Sequence, residues 1–245
     1  AVSDSRVPVA LHLDHCPERR VIEDVVAAGW SSVLFDASNR DLETAIRESR
    51  EVAELAHAHG IGVESEIENI VGVEDGVGSD VIAHAYSAQQ VVEAAQASGI
   101  DLIAPQLGTA HGVYHGRPKL LPERAREFRA LSDKPIVLHG GTGLTTQEFQ
   151  AFIEAGVSKI NISTELKMTY MKSALASLRR CEQTQEWDPP TLFNEIGGAV
   201  ETMAVGFFEI FWPTPSAMAT GWRSTRCSTN CRSRCTGATT STPHW

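Results

Sequence analysis

Six times along this chain a short apolar run gives way to a longer amphipathic stretch, and no other feature of the sequence restricts the fold as tightly. Runs of strand length alternating with stretches of helix length call for a parallel sheet whose crossovers are helices. The runs predict strands at Val7–Asp14, Ser32–Asp36, Gly62–Ile67, Leu102–Leu107, Ile136–His139 and Lys159–Ile162. Helix punctuation falls between them. Pro17-Glu18 opens a segment with Val21, Ile22, Val25 and Val26 on one face, and Gly29 closes it, the proline-first, glycine-last order of a helix. Leu42, Ala45, Ile46, Val52, Leu55 and Ala56 repeat the pattern up to Gly60. Thr145-Thr146-Gln147-Glu148 is a capping box before Phe149, Phe152 and Ile153, and Gly156 ends that segment.

Two architectures accommodate six βα units: a doubly wound sheet, or part of an eightfold barrel. The polar residues favour the barrel. Almost every strand ends in groups able to do chemistry, namely Asp14-His15, Asp36, Glu64 and Glu66, the loop to His111, then His139 and Asn161. A barrel builds its site from the loops after several different strands, whereas a doubly wound sheet gathers ligands at one switch point. The expected fold is therefore α/β, a TIM (β/α)8 barrel with two strands unaccounted for. A barrel short of two strands has open edges, and the chain starts at Ala1, without methionine, a few residues before its first strand. A truncated N-terminus is the expectation.

At 245 residues, 42% hydrophobic and 21% charged, the chain has enough apolar mass for one large domain or two small ones. No apolar run approaches the ~20 residues that span a bilayer. Nor does the start show the basic-then-apolar layout of a secretory signal, so a cytoplasmic protein without a membrane partner is expected. The net charge of −10 argues against nucleic acid, which demands clustered Lys and Arg. A small anionic substrate stays compatible, since local donors outweigh a global charge. The five cysteines imply no disulfide framework.

From Pro213 to Trp245 the character changes: no acidic residue, no apolar period, and a crowd of Ser, Thr and Arg around Cys227, Cys231 and Cys235. That cysteine spacing matches none of the common zinc motifs. A disordered tail, or the product of a frameshifted GC-rich reading frame, accounts for it better. The expected division is a barrel over residues 1–212 and an atypical, functionless tail over 213–245.

Three of the strand-end groups are histidines. His12, inside a strand, reads as a satisfied structural group. His15, His111 and His139 instead follow strands, and the last two precede glycines that let backbone amides approach a ligand. Three imidazoles with one position left open make the geometry of a catalytic zinc site, which would polarise a carbonyl and stabilise an enediolate beside it. Proton carriers are then needed. Asp14 adjoins His15, and Glu74 lies in the glycine-rich stretch Val71-Gly72-Val73-Glu74-Asp75-Gly76-Val77-Gly78, which reads either as a lid or as a solvated turn. Gly140-Gly141-Thr142-Gly143 and Asn161-Ile162-Ser163-Thr164 each lead into a helix, where free amides and hydroxyls can cradle a phosphate.

These residues carry a family resemblance. The segments Leu11-His12-Leu13-Asp14-His15, Phe35-Asp36-Ala37-Ser38, Val63-Glu64-Ser65-Glu66, Glu74-Asp75-Gly76, Gly108-Thr109-Ala110-His111-Gly112, Leu138-His139-Gly140-Gly141-Thr142-Gly143 and Lys159-Ile160-Asn161-Ile162-Ser163-Thr164-Glu165-Leu166 resemble class II, zinc-dependent ketose-bisphosphate aldolases. That group contains the fructose- and tagatose-bisphosphate enzymes. The likeness runs from about Val7 to Trp212. It implies that the six strands are the third to eighth of the barrel. It further implies that His15, His111 and His139 bind Zn2+ and that Asp14 is the acid/base serving the aldehyde oxygen. Glu74 would move the proton at the dihydroxyacetone phosphate carbon, and Asn161 would hold the enediolate oxygen. Gly112, Gly140, Gly141, Thr142, Ser163 and Thr164 would contact the dihydroxyacetone phosphate moiety. Asp36 and Glu66 match a second or displaced metal position, and a monovalent cation (Na+ or K+) is implied near Gly112 and Gly140. Members are commonly homodimers or homotetramers acting on small phosphorylated sugars.

Three positions depart from the family pattern: Thr142 stands where many members have Ser, His115 replaces a common Lys, and Asn39 replaces a frequent His. The choice of sugar stays open. The expected activity is zinc-dependent, reversible cleavage of a ketose 1,6-bisphosphate to dihydroxyacetone phosphate and an aldehyde. The alternatives are a metal-dependent sugar-phosphate isomerase on the same barrel, or an inactive barrel fragment serving as an assembly subunit.

Overall fold

The alternation of apolar runs and amphipathic stretches is realised as a curled half-barrel of six parallel strands, with seven helices among the described residues. A computed structural model describes residues 7–70, 72–74, 77–79, 85–112 and 116–212. The elements run β1 (His12–Cys16), α1 (Arg19–Ala27), β2 (Ser32–Asp36), α2 (Leu42–His57) and β3 (Gly62–Glu66). A hairpin of β4 (Gly72–Glu74) and β5 (Val77–Ser79) follows, then α3 (Ala88–Ser98), β6 (Leu102–Ile103), α4 (Pro122–Leu131) and β7 (Ile136–Leu138). The last elements are α5 (Thr146–Glu154), β8 (Val157–Ile160), α6 (Thr164–Thr184) and α7 (Pro189–Phe211).

The sheet order is β1-β2-β3-β6-β7-β8, each strand parallel to its neighbours. Among the described residues the order never reverses, so they show no switch point of the kind at which a doubly wound sheet binds its ligands. All strand C-termini therefore point to one end, and the groups at those ends share one rim. The hairpin β4–β5 is a separate antiparallel pair.

Helix starts follow local chemistry. The Asp41 side chain accepts from the Thr44 amide at α2, and capping boxes begin α3 (Ser87 with Gln90) and α5 (Thr145 with Glu148), the last as its spacing predicts. α1 starts at Arg19 rather than at Pro17, with Glu18 in the cap position. Outward-facing strand residues such as Val33, Phe35 and Val63 pack with Ile22, Val52, Val91 and Phe128 of the helices in one apolar layer. Phe149 of α5 meets Phe207 and Phe211 of α7 edge-on, with ring centroids 5.9 and 5.1 Å apart.

Several strands differ from their apolar runs. The first begins at His12, leaving Val7, Val9 and Leu11 67%, 48% and 48% exposed. Among the described residues β1 pairs along one side only, so this run has little sheet to pack on. The fourth run forms only Leu102–Ile103, since Pro105 has no amide hydrogen to continue the ladder. The last strand starts two residues early at Val157 and ends at Ile160. The glycine-rich stretch predicted as a loop contributes the hairpin instead. The tail 213–245 and His115 lie outside the described residues, and among the described residues no helix is long and apolar enough to cross a membrane.

Candidate metal centre

The site is built from pairs of polar residues two apart on inward strand faces. Side chains at i and i+2 of a strand share a face, and His12 with Asp14, Glu64 with Glu66, and Lys159 with Asn161 are three such pairs. The register of β2 and β3 sets Asp36 opposite Glu66 at the C-terminal rim.

Asp14 and His15 need a different device, because consecutive strand residues normally face opposite ways. Leu13 pairs with Val33 and Cys16 with Phe35, so Asp14 and His15 together stand against Leu34 alone: β1 carries a bulge. His15 takes a positive φ of 41°, rare for a side-chain-bearing residue and a form of strain concentrated at functional sites. The bulge turns both neighbours toward the same centre. Asp14 Oδ1 accepts from Asn161 Nδ2 at 3.1 Å, while His15 Nε2 lies 3.0 Å from His139 Nδ1.

His15, His111, His139 and Glu66 offer ligand atoms that all lie within 4.8 Å of one another. Their rings meet edge-on, with centroids 4.8 Å apart for His15 and each of the other two. His15 Nδ1 faces Asp36 Oδ2 at 3.4 Å, which turns Nε2 toward the centre. His139 Nε2 faces Glu64 Oε1 at 2.8 Å, which turns Nδ1 the same way. Asp36 is itself held by the Ser38 amide and hydroxyl at 3.0 and 2.5 Å. Carboxylates behind the imidazoles are the usual means of orienting metal-binding histidines.

Two glycines allow these segments to converge. A Cβ on Gly140, whose φ is 68°, would overlap the backbone carbonyl of Ala110. One on Gly72, whose φ is 107°, would overlap the backbone of His111. Gly140 thus lets the segments carrying His139 and His111 touch, and Gly72 brings the hairpin that ends β4 at Glu74 against His111. The Glu74 side chain lies outside the described residues.

The electrostatics are those of a cation site holding protons. Burial alone would lower His15, but the Asp36 hydrogen bond and the charges of Glu66 and Asp14 outweigh it and raise the group to about 9. Burial, joined by the charge of Asp36, raises Glu66 to about 8. Burial opposes the charge on Glu64, yet His139 and Lys159 hold its carboxyl down at about 2. Burial also lowers His139, outweighing the Glu64 hydrogen bond and charge that act to raise it.

The chain matches the family model described as Fructose-bisphosphate aldolase class-II over residues 1–213. It belongs to that family. It is 36% identical over 200 residues to a fructose-bisphosphate aldolase of Geobacillus stearothermophilus, covering 82% of this chain and 69% of that one. A fructose-bisphosphate aldolase of Staphylococcus aureus strain Mu50 is 34% identical over 205 residues, covering 84% and 71%. In structure the chain is similar to the YdjI aldolase of Escherichia coli K12, with a TM-score of 0.73, 29% identity, and coverage of 88% and 74%.

Class-II fructose-bisphosphate aldolases are carbon–carbon lyases that generally depend on a metal, and the residues here fit one. Among the described residues Glu66 Oε2 is buried without a hydrogen-bond partner, 3.9 Å from His15 Nδ1. A lone carboxylate oxygen amid three imidazoles is a donor set suited to a divalent cation. Such an ion would displace the protons on His15 and Glu66.

Of the other residues singled out in the sequence, Thr142 is nearly buried, and its Oγ1 accepts from the Glu165 amide at 3.2 Å. It thereby ties the Gly140–Thr142 segment to the start of α6. Ser163, the cap residue of α6, makes no side-chain cap bond, leaving its hydroxyl and that of Thr164 at a helix N-terminus. Gly112 has a φ of 81° in the turn after His111. The structure adds Lys159 to these residues and gives Glu64, already a strand-end candidate, its partners: Lys159 Nζ donates to Glu64 Oε2 at 2.7 Å and to Asn161 Oδ1 at 2.8 Å. The signal for Lys159 in the sequence is its period-two spacing with Asn161. His12 Nδ1 lies 2.7 Å from Ser32 Oγ, while its buried Nε2, 3.8 Å from both Asp14 and Glu64, has no hydrogen-bond partner among the described residues, so the ring is only half satisfied.

Proposed function

We propose that this chain catalyses the reversible aldol cleavage of a ketose 1,6-bisphosphate, of fructose or tagatose type, to dihydroxyacetone phosphate and an aldehyde such as glyceraldehyde 3-phosphate. The observation that supports it most is the convergence of His15, His111, His139 and Glu66 beside the bonded pair Asp14 and Asn161. We read the six strands as six of the eight of a (β/α)8 barrel, with the site on its C-terminal rim.

Zinc held by His15, His111 and His139 would supply Lewis-acid polarisation of the substrate carbonyl. Asp36 and Glu66 offer a further or alternate position for the ion, and a monovalent cation near Gly112 and Gly140 would assist the phosphate. Asp14, 40% exposed at the rim, is free to move a proton on the aldehyde oxygen as the carbon–carbon bond breaks or forms. Asn161 presents Nδ2 beside it and donates to the substrate oxygen that gains charge. Glu74, carried on the hairpin, serves the carbon that becomes part of dihydroxyacetone phosphate. Gly140, Gly141 and Thr142, with Ser163 and Thr164 at the start of α6, present amides and hydroxyls to the phosphate. We also read the chain as a homodimer or homotetramer.

The test counts products. With zinc, the full chain releases dihydroxyacetone phosphate and an aldehyde in equal amounts from fructose or tagatose 1,6-bisphosphate. Interconversion of ketose and aldose without release of a three-carbon product would refute the reading.

A further inference from the structure

Lys159 sits at the junction of two groups that flank the proposed cleavage site. Its ammonium bridges Glu64 Oε2 at 2.7 Å and Asn161 Oδ1 at 2.8 Å, across strands β3 and β8. Glu64 is fully buried, and its second oxygen holds His139 Nε2 at 2.8 Å.

Lysine has three donors and no acceptor. The Asn161 atom facing it must therefore be the carbonyl oxygen, and Nδ2 is turned toward Asp14. The ammonium sets that orientation from the opposite side of the amide to Asp14, because only the oxygen can accept from it. The same ammonium keeps Glu64 an acceptor toward His139, so the proton of that imidazole stays on Nε2 and Nδ1 stays directed at His15 Nε2. The 3.4 Å approach of Asn161 Nδ2 to His139 Nε2 sets two donors near each other, and the shorter bond to Glu64 claims the ring proton.

We infer that Lys159 is a positioning residue that locks the Asn161 amide and the His139 tautomer together, through one ammonium shared between Asn161 and Glu64. This rests on the aldol reading for the role of Asn161, whereas the His139 tautomer is independent of it.

The experiment compares Lys159→Gln and Lys159→Arg with the unaltered full chain. Both variants keep a long polar side chain, but arginine has only donors whereas glutamine has an acceptor as well. In metal-free protein, long-range 1H–15N NMR should show His139 protonated on Nε2 in the unaltered chain and in Lys159→Arg, and a tautomer mixture in Lys159→Gln. With zinc and fructose 1,6-bisphosphate, Lys159→Gln should lower kcat by about 10–100-fold with KM changed far less, and Lys159→Arg should recover most of the loss. In an Asn161→Ala background, Lys159→Gln should reduce kcat much less than it does alone. Equal behaviour of the two variants in tautomer and kcat would overturn the inference, and so would an undiminished loss in the Asn161→Ala background. An unaltered chain that cleaves no ketose bisphosphate would count against the aldol reading alone, because the tautomer comparison still decides the role of Lys159. A Lys159→Gln chain that failed to fold while Lys159→Arg folded and kept the Nε2 tautomer would support the donor-only requirement.

Discussion

Glu64 Oε1 lies 2.8 Å from His139 Nε2 with both side chains 1% exposed, although 75 positions separate the two in sequence. A carboxylate so deeply buried is tolerable only with its partners, and removing it takes from Lys159 and His139 the carboxylate they share. Glu64→Ala should therefore cost about 3–5 kcal/mol in urea unfolding of the metal-free chain. The folded carboxyl lies at about 2, below its ordinary 4.5. The stability it contributes is therefore full above pH 4.5 and is lost as the pH falls from there to about 2. The variant should lack that part of the acid transition; an acid profile identical to the unaltered chain would contradict the pairing.

His15 at about 9 and Glu66 at about 8 both hold protons near neutrality, and a metal ion must displace them. Zinc affinity, followed by competition with a chelator of known pH dependence, should strengthen as pH rises from 6 toward 9. In the metal-free chain the same two groups act on stability. Raised pKa values mean that the folded state holds protons the unfolded state has lost, so stability falls with rising pH, from 4.5 through 8 for Glu66 and from 6.5 through 9 for His15. Tm measured in chelator should decline over this range, less steeply in Glu66→Gln. A zinc affinity independent of pH between 7 and 9 would argue against the proton inventory.

Gly140 lets the backbone after His139 lie against Ala110, next to His111. Gly140→Ala demands both a strained positive φ and separation of those two segments. The strain alone costs roughly 1–3 kcal/mol, and the histidines should move apart enough to weaken zinc binding by about 10–100-fold. Isothermal titration of the folded variant measures the second effect. Unchanged affinity would show that the close approach does not set the spacing of the histidines.

Much of this organisation is legible in the amino-acid sequence itself. Parallel order and shared strand direction follow from the βα rhythm, and with them the placing of His15, His111 and His139 at one rim. The rest depends on pairing that no local pattern records. Asp14 and His15 should point apart in a regular strand, and only the bulge against Leu34 turns both inward. Glu64 and Lys159 share the period-two spacing of Glu66 and Asn161, but their importance comes from a contact across 95 positions. Val7, Val9 and Leu11 read as core, yet they precede an edge strand and remain exposed.

A second buried pair bears on the hairpin rather than on the metal group. Arg124 donates to Glu68 Oε1 and to the Tyr86 carbonyl, each at 2.7 Å, and Glu68 also accepts from the Tyr86 and Gln106 amides. One carboxylate thus ties the chain before the hairpin to the chain after it. Arg124→Met leaves that buried carboxylate without its cation and should destabilise the fold by about 3–5 kcal/mol in urea. A loss below about 1 kcal/mol would reduce the pair to an ordinary surface contact.

A zinc titration of the metal-free full chain tests whether cleavage runs at a single metal site formed by His15, His111 and His139. The readout is the rate of dihydroxyacetone phosphate release from fructose 1,6-bisphosphate. The rate should rise from near zero in proportion to added zinc, break at one ion per chain, and stay near zero throughout in His111→Ala. Full activity in the presence of chelator, or in His111→Ala without added metal, would contradict it.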